Sequence, residues 1–247
     1  MTGAVEIAAP AETLATFTTS DQIRVVLNTI RADVGAGYLH VDGRSYHGFD
    51  STELAIEVTD RLDPLPRPLS NAVMADYALS VGAVVRRDRG RTSPLSALCC
   101  LPVIWSIGAT RSLPVRPDAG GIEQARQRLA ALGLQPAVVV VGGPPLADDA
   151  FRVVALLALD QPLDLAERDA ERAVLDRLRA LAGKLKSEAP DSLAGLVVPV
   201  PGAIVRVSGA RQRAACIHLN PSARTSIADL DRILSGTSTS KTRSKQR

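Results

Sequence analysis

The chain has 247 residues, of which 46% are hydrophobic and 22% are charged, a balance typical of a folded globular protein and not of a disordered one. Its length suits one large domain or two small ones. Aromatic residues make up only 3% of the chain, which argues against a nucleic-acid platform of stacked aromatic rings. The formal net charge of +3 depends on the C-terminus, where the basic residues are Lys241, Arg243, Lys245 and Arg247.

The cysteines and the apolar runs indicate the compartment. Cys99 and Cys100 are adjacent and Cys216 stands alone, a pattern that fits neither a disulfide framework nor a C-x-x-C zinc site. We therefore expect reduced core cysteines. The first residues lack the basic and apolar regions of a secretory signal, and no apolar run approaches the roughly 18 residues that a membrane span needs. The sequence predicts a cytoplasmic protein with no membrane partner.

Apolar residues at helical or alternating spacing predict the elements of the first half of the chain. In chain order these are a helix over 22–33 capped by Asp21, a strand over 38–41, a short helix over 71–77, and strands over 79–85 and 101–107. The Asp42-Gly43 pair predicts a turn directly after the first strand. Pro64, Pro66 and Pro68 predict a stiff connecting loop and not a domain boundary.

The second half alternates more regularly. Its predicted elements are an amphipathic helix over 122–132 that Gly133 ends, strands over 137–141 and 151–159, a long helix over 165–186, a strand over 196–200, and a final helix over 225–234. Asp160-Gln161-Pro162 predicts a turn before the long helix. Residues 204–207 and 214–219 predict a hairpin across Gly209. Residues 236–247 lack apolar side chains, which predicts a disordered basic tail.

Strands that do not follow strict βαβ order, mixed with helices of unequal length, predict an α+β fold. We expect a mixed β-sheet core with flanking helices. The prediction places residues 1–235 in a single domain and leaves 236–247 as the tail.

Several segments of the chain, each a weak motif alone, together follow the order of a known family. They are 79–91, a strand with an Arg/Gly loop; 101–109, a strand; 124–136, a helix with its "L-x-P" exit; 138–143, a strand with a Gly turn; 156–162; 199–203, which is similar to an "R-x-P-G-T" turn; 217–220; and 225–234. This order resembles the archaeo-eukaryotic primase superfamily, in particular the RepB-like and primase-polymerase-like domains of plasmids and phages. The resemblance covers residues 79–235 and leaves 1–78 without a match.

The resemblance implies where a catalytic centre would be. The family carries an Asp-x-Asp on a strand, whose period of two places both carboxylates on one face to hold metal ions for nucleotidyl transfer. Here Ser106 and Gly108 occupy those positions. The histidine of the second motif corresponds to Ala147, and the arginine of the "R-x-P-G-T" turn corresponds to Pro199.

Those substitutions imply a degenerate centre with no metal site and no cofactor. The alternative is an active DNA primase or polymerase with relocated ligands, for which Asp148, Asp149 and Asp191 are the weak candidates. Mg²⁺ or Mn²⁺ would be required only in that case. Consecutive carboxylates such as Asp148 and Asp149 point in different directions and are more typical of a solvated loop.

Nucleic-acid contacts are predicted from arginines. The strongest basic cluster in the body of the chain is one loop, with Arg86, Arg87, Arg89 and Arg91, which suits phosphate binding but also fits a solvated turn in which Asp88 pairs internally. Three more arginines flank the predicted hairpin and either extend that face or pair with carboxylates of the long helix: Arg206, Arg211 and Arg213.

Histidines and nucleotide-binding motifs add little. His40 and His47 could in principle join Asp42 or Asp50 at a metal ion, yet their spacing matches no known site. The chain contains no G-x-x-x-x-G-K-[ST] phosphate loop and no G-x-S-x-G nucleophile motif.

The leading hypothesis is a catalytically degenerate primase-polymerase-like protein of plasmid or phage DNA replication. Its expected partners are single-stranded nucleic acid and another replication protein, such as a replicative helicase. The alternatives are the active primase with relocated ligands and a protein-interaction module without nucleic-acid binding. An exposed apolar patch of several hundred Å² would favour the interaction module.

Overall fold

The structure is a computed structural model that describes residues 17–45, 51–75, 77–109, 116–143, 151–207 and 210–236. The helices of this part are α1 (Thr19–Ile30), α2 (Arg67–Met74), α3 (Ala119–Ala131), α4 (Arg168–Leu185) and α5 (Ile227–Ser235). The strands are β1 (Tyr38–Ser45), β2 (Ser51–Glu57), β3 (Tyr77–Gly82), β4 (Val85–Arg86), β5 (Leu95–Ile107), β6 (Val138–Gly142), β7 (Phe151–Asp164), β8 (Val197–Pro199), β9 (Ile204–Val207), β10 (Ala210–Arg213) and β11 (Ala215–Leu219).

Nine of these strands form one sheet in the order β11-β6-β7-β5-β4-β1-β3-β8, with β2 paired to β1. Strands β9 and β10 form a separate two-stranded sheet. The named strands of the described residues pair antiparallel, and an isolated parallel bridge joins Leu159 to Thr225. The predicted α+β class, with a sheet core and flanking helices, is confirmed.

The longest strands, β5 and β7, form the centre of the sheet. Their register runs from Ile107 opposite Phe151 to Ala97 opposite Asp164. Most of their side chains are buried, as expected for strands covered on both faces. Helix α4 is tied to β5 by the buried indole of Trp105, whose Nε1 donates to the Leu185 carbonyl at 3.2 Å. This contact places the C-terminal end of α4 near the C-terminal end of β5.

Two predictions about helix starts are wrong. Thr18, and not Asp21, is the N-cap of α1: its hydroxyl accepts from the Asp21 N–H, and the Asp21 carboxylate accepts from the Thr18 N–H. The pair forms a capping box. Helix α2 begins four residues before the predicted 71–77, because Pro68 lies in its first turn, where the missing N–H has no intrahelical partner to lose.

The turn predicted at Asp42-Gly43 is also wrong, because β1 continues through both residues to Ser45. Gly43 is needed there for packing. A Cβ at this position would lie 2.4 Å from Leu79 Cδ2 and 2.8 Å from Thr52 Cγ2. Neighbouring strands therefore approach closely on both sides of Gly43, and a glycine that looks like a turn signal is part of a three-strand contact.

Two further predictions fail in the C-terminal half. The segment Asp160-Gln161-Pro162 belongs to β7 and is not a turn. The predicted hairpin has a different partner: β9 pairs with β10, in the register Val207 opposite Ala210, whereas β11 pairs with the apolar strand β6. Strand β6 has five consecutive buried residues, and β11 satisfies its remaining edge. Of the predicted tail, only Gly236 is described; it ends α5 with a φ of 73°.

The cysteines are in the core, as predicted. All three are free and buried, and burial raises the pKa of the Cys99 thiol to about 12 and raises that of Cys216. Such thiols are poor nucleophiles. Among the described residues, no helix combines the length and the apolar character needed to span a membrane.

Candidate functional site

The two positions that the resemblance assigns to the paired carboxylates lie at the C-terminal end of β5. Ser106 is opposite Arg152 in the β5–β7 register, and Gly108 directly follows Ile107, the last residue of the strand. Both are exposed. A Cβ added to Gly108 would have no heavy atom within 4 Å. The site is therefore open at Gly108 and holds a hydroxyl, not a carboxylate, at Ser106.

Ser106 takes part in a three-residue cluster that sequence reasoning missed. Its hydroxyl donates to Glu188 Oε1 at 2.5 Å, and Arg152 NH2 lies 3.1 Å from Glu188 Oε2. The Glu188 backbone N–H donates to the Ile104 carbonyl at 2.7 Å, which fixes the carboxylate beside the strand end. We call Ser106, Arg152 and Glu188 the serine–arginine cluster.

The serine–arginine cluster does not fit a two-metal centre. Such a centre needs closely spaced carboxylates whose oxygens are free to bind cations. Here one oxygen of Glu188 accepts from Ser106 and the other pairs with a guanidinium. Within the described residues, no three His, Cys, Asp or Glu side chains are grouped so as to hold a metal ion.

Of the three aspartates considered as relocated metal ligands, the structure describes one, Asp191. Ala147, Asp148 and Asp149 lie outside the described residues, and their assignment stays a prediction. Asp191 lines a pocket of about 270 Å³ with Glu188 and Arg152, so the structure brings it near the serine–arginine cluster. Its backbone carbonyl accepts from Arg179 at 3.0 Å.

Pro199, where the resemblance expects an arginine, lies at the end of β8 and packs against β6. A Cβ on Gly142 would lie 2.5 Å from Pro199 Cβ and 3.0 Å from Ala214 Cβ. Gly142 at the end of β6 therefore packs directly against the Pro199 ring at the end of β8. The contact leaves no space for a longer side chain between these two strands.

The basic loop between β4 and β5 is an ordered turn. Arg86 is partly buried and donates from NH1 to the Ser93 carbonyl at 2.8 Å. Burial, together with nearby Arg91, holds the pKa of its guanidinium below the usual value. Ser93 closes the turn: its Oγ accepts from the Asp88 N–H at 2.9 Å and donates to the Asp88 carboxylate at 3.2 Å.

The other arginines of this loop are accessible. Arg87, Arg89 and Arg91 are exposed, and the Arg89 guanidinium lies over the Tyr38 ring at 5.5 Å from its centroid, a cation–π contact. Asp88 is engaged by Ser93. The three exposed arginines therefore present positive charge to solvent.

The basic loop and the serine–arginine cluster are far apart. The loop precedes Leu95, and Ser106 is near the other end of the same strand. At about 3.3 Å per residue, this span of β5 is roughly 30 Å or more. The structure thus separates the arginines of the β4–β5 loop from Ser106 and Gly108.

The arginines of the predicted hairpin lie on the two-stranded sheet. Arg206 of β9 and Arg211 of β10 are directly opposite in the register, and the Arg206 side chain is outside the described part. Arg213 donates from NH1 to the Gly202 carbonyl at 2.6 Å, so it has a structural contact at the turn before β9. Their proposed role in nucleic-acid binding stays a prediction.

His40 is a buried histidine on β1. It is only 5% exposed, and neither ring nitrogen has a hydrogen-bond partner among the described residues. Its Nδ1 lies 3.5 Å from Glu53 Oε1. His47 and Asp50, the other ligands considered with it, lie outside the described residues.

Comparison with known proteins finds similarity in structure and not in sequence. No protein-family model and no curated protein sequence matches the chain. Among solved structures, the AEP domain of the cyanophage S-2L primase-polymerase matches with a TM-score of 0.58 and 13% identity, covering 87% of this chain and 97% of that one. The catalytic domain of primase RepB′, in complex with initiator DNA, matches with a TM-score of 0.53 and 13% identity, covering 89% of this chain and 95% of that one.

At such low identity these matches establish the fold alone. The chain has the fold of the catalytic domains of primase-polymerases, and the resemblance identified from the sequence is confirmed at that level. Function still has to be argued from the site.

Proposed function

We propose that this protein is a non-catalytic primase-polymerase-like domain that binds single-stranded nucleic acid in plasmid or phage DNA replication. The observation that supports it most is the set of side chains at the end of β5. A hydroxyl at Ser106 and a glycine at Gly108 stand where the resemblance places the family's paired carboxylates, and Glu188 beside Ser106 is paired with Arg152.

Nucleic-acid binding is supported by the fold and by the exposed charge. The RepB′ domain with this fold was solved with initiator DNA, and exposed arginines of the β4–β5 loop offer phosphate contacts. An apolar partner surface has less support. Among the described residues, the one large hydrophobic side chain that is strongly exposed is Met74, at 80%.

The binding is tested by fluorescence anisotropy of a labelled single-stranded oligonucleotide at several salt concentrations. We expect the full chain to bind, and the variant with Arg87, Arg89 and Arg91 changed to glutamine to bind more weakly. If each arginine neutralises one phosphate, the slope of log K against log salt falls by up to about 2, from roughly 0.7 per contact. Arg86 is retained because it holds the Ser93 carbonyl.

A variant with the same charge change elsewhere is the control. Arg44, Arg61 and Arg67 are exposed, and changing them to glutamine should leave the slope unchanged. An equal fall of the slope in both variants would show that binding depends on the net charge of the protein and not on the β4–β5 loop. Failure of the full chain to bind at low salt would refute nucleic-acid binding and redirect the search to a protein partner.

A further inference from the structure

Positive charge gathers at the C-terminal ends of α3 and α4, away from the β4–β5 loop. The residues concerned are Arg128 in the last turn of α3, Lys184 in the last turn of α4, Lys186 directly after α4, and Arg224 before α5. We call these four residues the helix-end patch. No pattern in the sequence grouped them, because they come from three separate segments.

The members of the helix-end patch lack carboxylate partners within the described part of the chain. Arg128 donates to the Lys186 carbonyl at 3.1 Å and to Gln124 Oε1 at 2.7 Å. Arg224 donates to the backbone carbonyls of Pro221 and Ala223. No carboxylate among the described residues therefore neutralises their positive charge.

Other arginines of the same helical layer are paired. Arg177 forms a two-pronged contact with Asp231, at 2.8 and 3.2 Å, and Arg232 lies 2.8 Å from Asp229. Two-pronged pairs of this kind are the stronger surface ion pairs. The carboxylates of α5 are thus already used, and they do not offset the helix-end patch.

A surface cavity of about 590 Å³ lies between the end of α3, the end of α4 and helix α5. Lys184 and Arg224 line it, together with Arg232 and Asp229. The Asp229 carboxylate accepts from Ser226 at 2.8 Å and pairs with Arg232. Among the residues that line the cavity, Lys184 and Arg224 therefore keep uncompensated positive charges. The cavity is therefore positively charged.

One end of the helix-end patch adjoins the serine–arginine cluster. Arg128 bonds the carbonyl of Lys186, and two residues further along the chain Glu188 bonds both β5 and Ser106. Arg128 and Lys186 thus lie beside the site at the end of β5. Arg224 is farther along the sheet, because the N–H of the next residue, Thr225, donates to the Ala158 carbonyl, and Ala158 is opposite Cys100 in the β5–β7 register. The β4–β5 loop precedes the other end of β5.

We propose that the helix-end patch binds phosphate groups of a single-stranded nucleic acid whose path passes the Ser106 end of β5. The inference rests on the proposed function and adds a second phosphate-binding surface to the β4–β5 loop. Flexible lysines and an arginine without carboxylate partners are the groups that follow a phosphate backbone without reading its sequence.

A purely structural role makes a different prediction. Cations in the last turn of a helix interact favourably with the partial negative charge of its C-terminus and so stabilise the helix. If stabilisation were their only role, removing them would lower the melting temperature and leave nucleic-acid affinity unaffected.

The test is the salt dependence of oligonucleotide binding by the full chain with Lys184, Lys186 and Arg224 changed to glutamine. Arg128 is kept because it holds the Lys186 carbonyl. We expect the slope of log K against log salt to fall by up to about 2. The charge-conserving variant K184R/K186R/R224K should retain the wild-type slope, and the Arg44/Arg61/Arg67 control should also retain it.

The outcomes separate this inference from the proposed function. Wild-type binding with an unchanged slope in the glutamine variant would overturn the helix-end patch alone. A slope that falls equally in the control would also overturn it. If the wild-type chain does not bind at low salt, the proposed function fails and the patch fails with it.

Discussion

Replacing Gly142 by valine is expected to lower the free energy of unfolding by about 2–3 kcal/mol, the usual effect of forcing extra atoms into a packed interior. The added Cβ would lie 2.5 Å from Pro199 Cβ and 3.0 Å from Ala214 Cβ. Neither neighbour can move without displacing backbone, because the contact joins the ends of β6 and β8. Urea unfolding followed by circular dichroism measures the effect.

Gly108→Val is the matched control. The same change at Gly108 places the new side chain in open space, and a surface substitution of this kind alters stability by about 0.5 kcal/mol or less. Equal stability of the two variants would contradict the close contact between β6 and β8. That contact involves Pro199, the position at which the resemblance places an arginine.

Deleting residues 237–247 is expected to have the largest effect on nucleic-acid affinity. This segment carries four basic residues, Lys241, Arg243, Lys245 and Arg247. If all four contact phosphates, the salt slope of binding falls by about 3, from roughly 0.7 per contact on a single strand. Between 50 and 200 mM salt, the full chain would then lose roughly 50-fold more affinity than the truncated one.

Anisotropy titrations of both chains with the same oligonucleotide measure this difference. The folded body is expected to retain weaker, salt-sensitive binding through the β4–β5 loop and the helix-end patch. An unchanged slope after truncation would refute a role of the tail in binding. Complete loss of binding would assign all of it to the tail and contradict both surfaces on the fold.

The sequence was sufficient for the long apolar elements. Strands β5, β6 and β7 were predicted because apolar runs fill most of each, and helix α4 because its apolar residues recur at helical spacing. These signals are local, and burial in the core reinforces them. The order of the elements was then enough to identify the fold.

Local signals failed where a distant contact decides the structure. Gly43 looks like a turn residue, yet it lies inside β1 because Leu79 and Thr52 approach it from both sides. Strand β11 was assigned to a hairpin with its neighbour in sequence, but its partner is β6. Pairing over such a distance depends on which edge of the sheet remains open, and no short motif records it.

Two of the four residues at the end of β5 could be assigned from the sequence. Ser106 and Gly108 were assigned because the resemblance places the family's Asp-x-Asp motif at these two positions. Arg152 and Glu188 were not found, because both are distant from Ser106 in the sequence. Arg152 is opposite Ser106 in the β5–β7 register, and Glu188 comes from the loop after α4 and pairs with Arg152. A lone arginine in an apolar strand was the one available signal for this cluster.

The most direct test of the central claim is metal-dependent nucleotide incorporation by the purified full chain on a single-stranded template, with Mg²⁺ or Mn²⁺ present. The expected result is no product above that of a reaction without protein. Template-directed product that requires the metal ion, and that disappears in E188Q or in D148N/D149N, would contradict a non-catalytic domain and establish an active polymerase with relocated ligands.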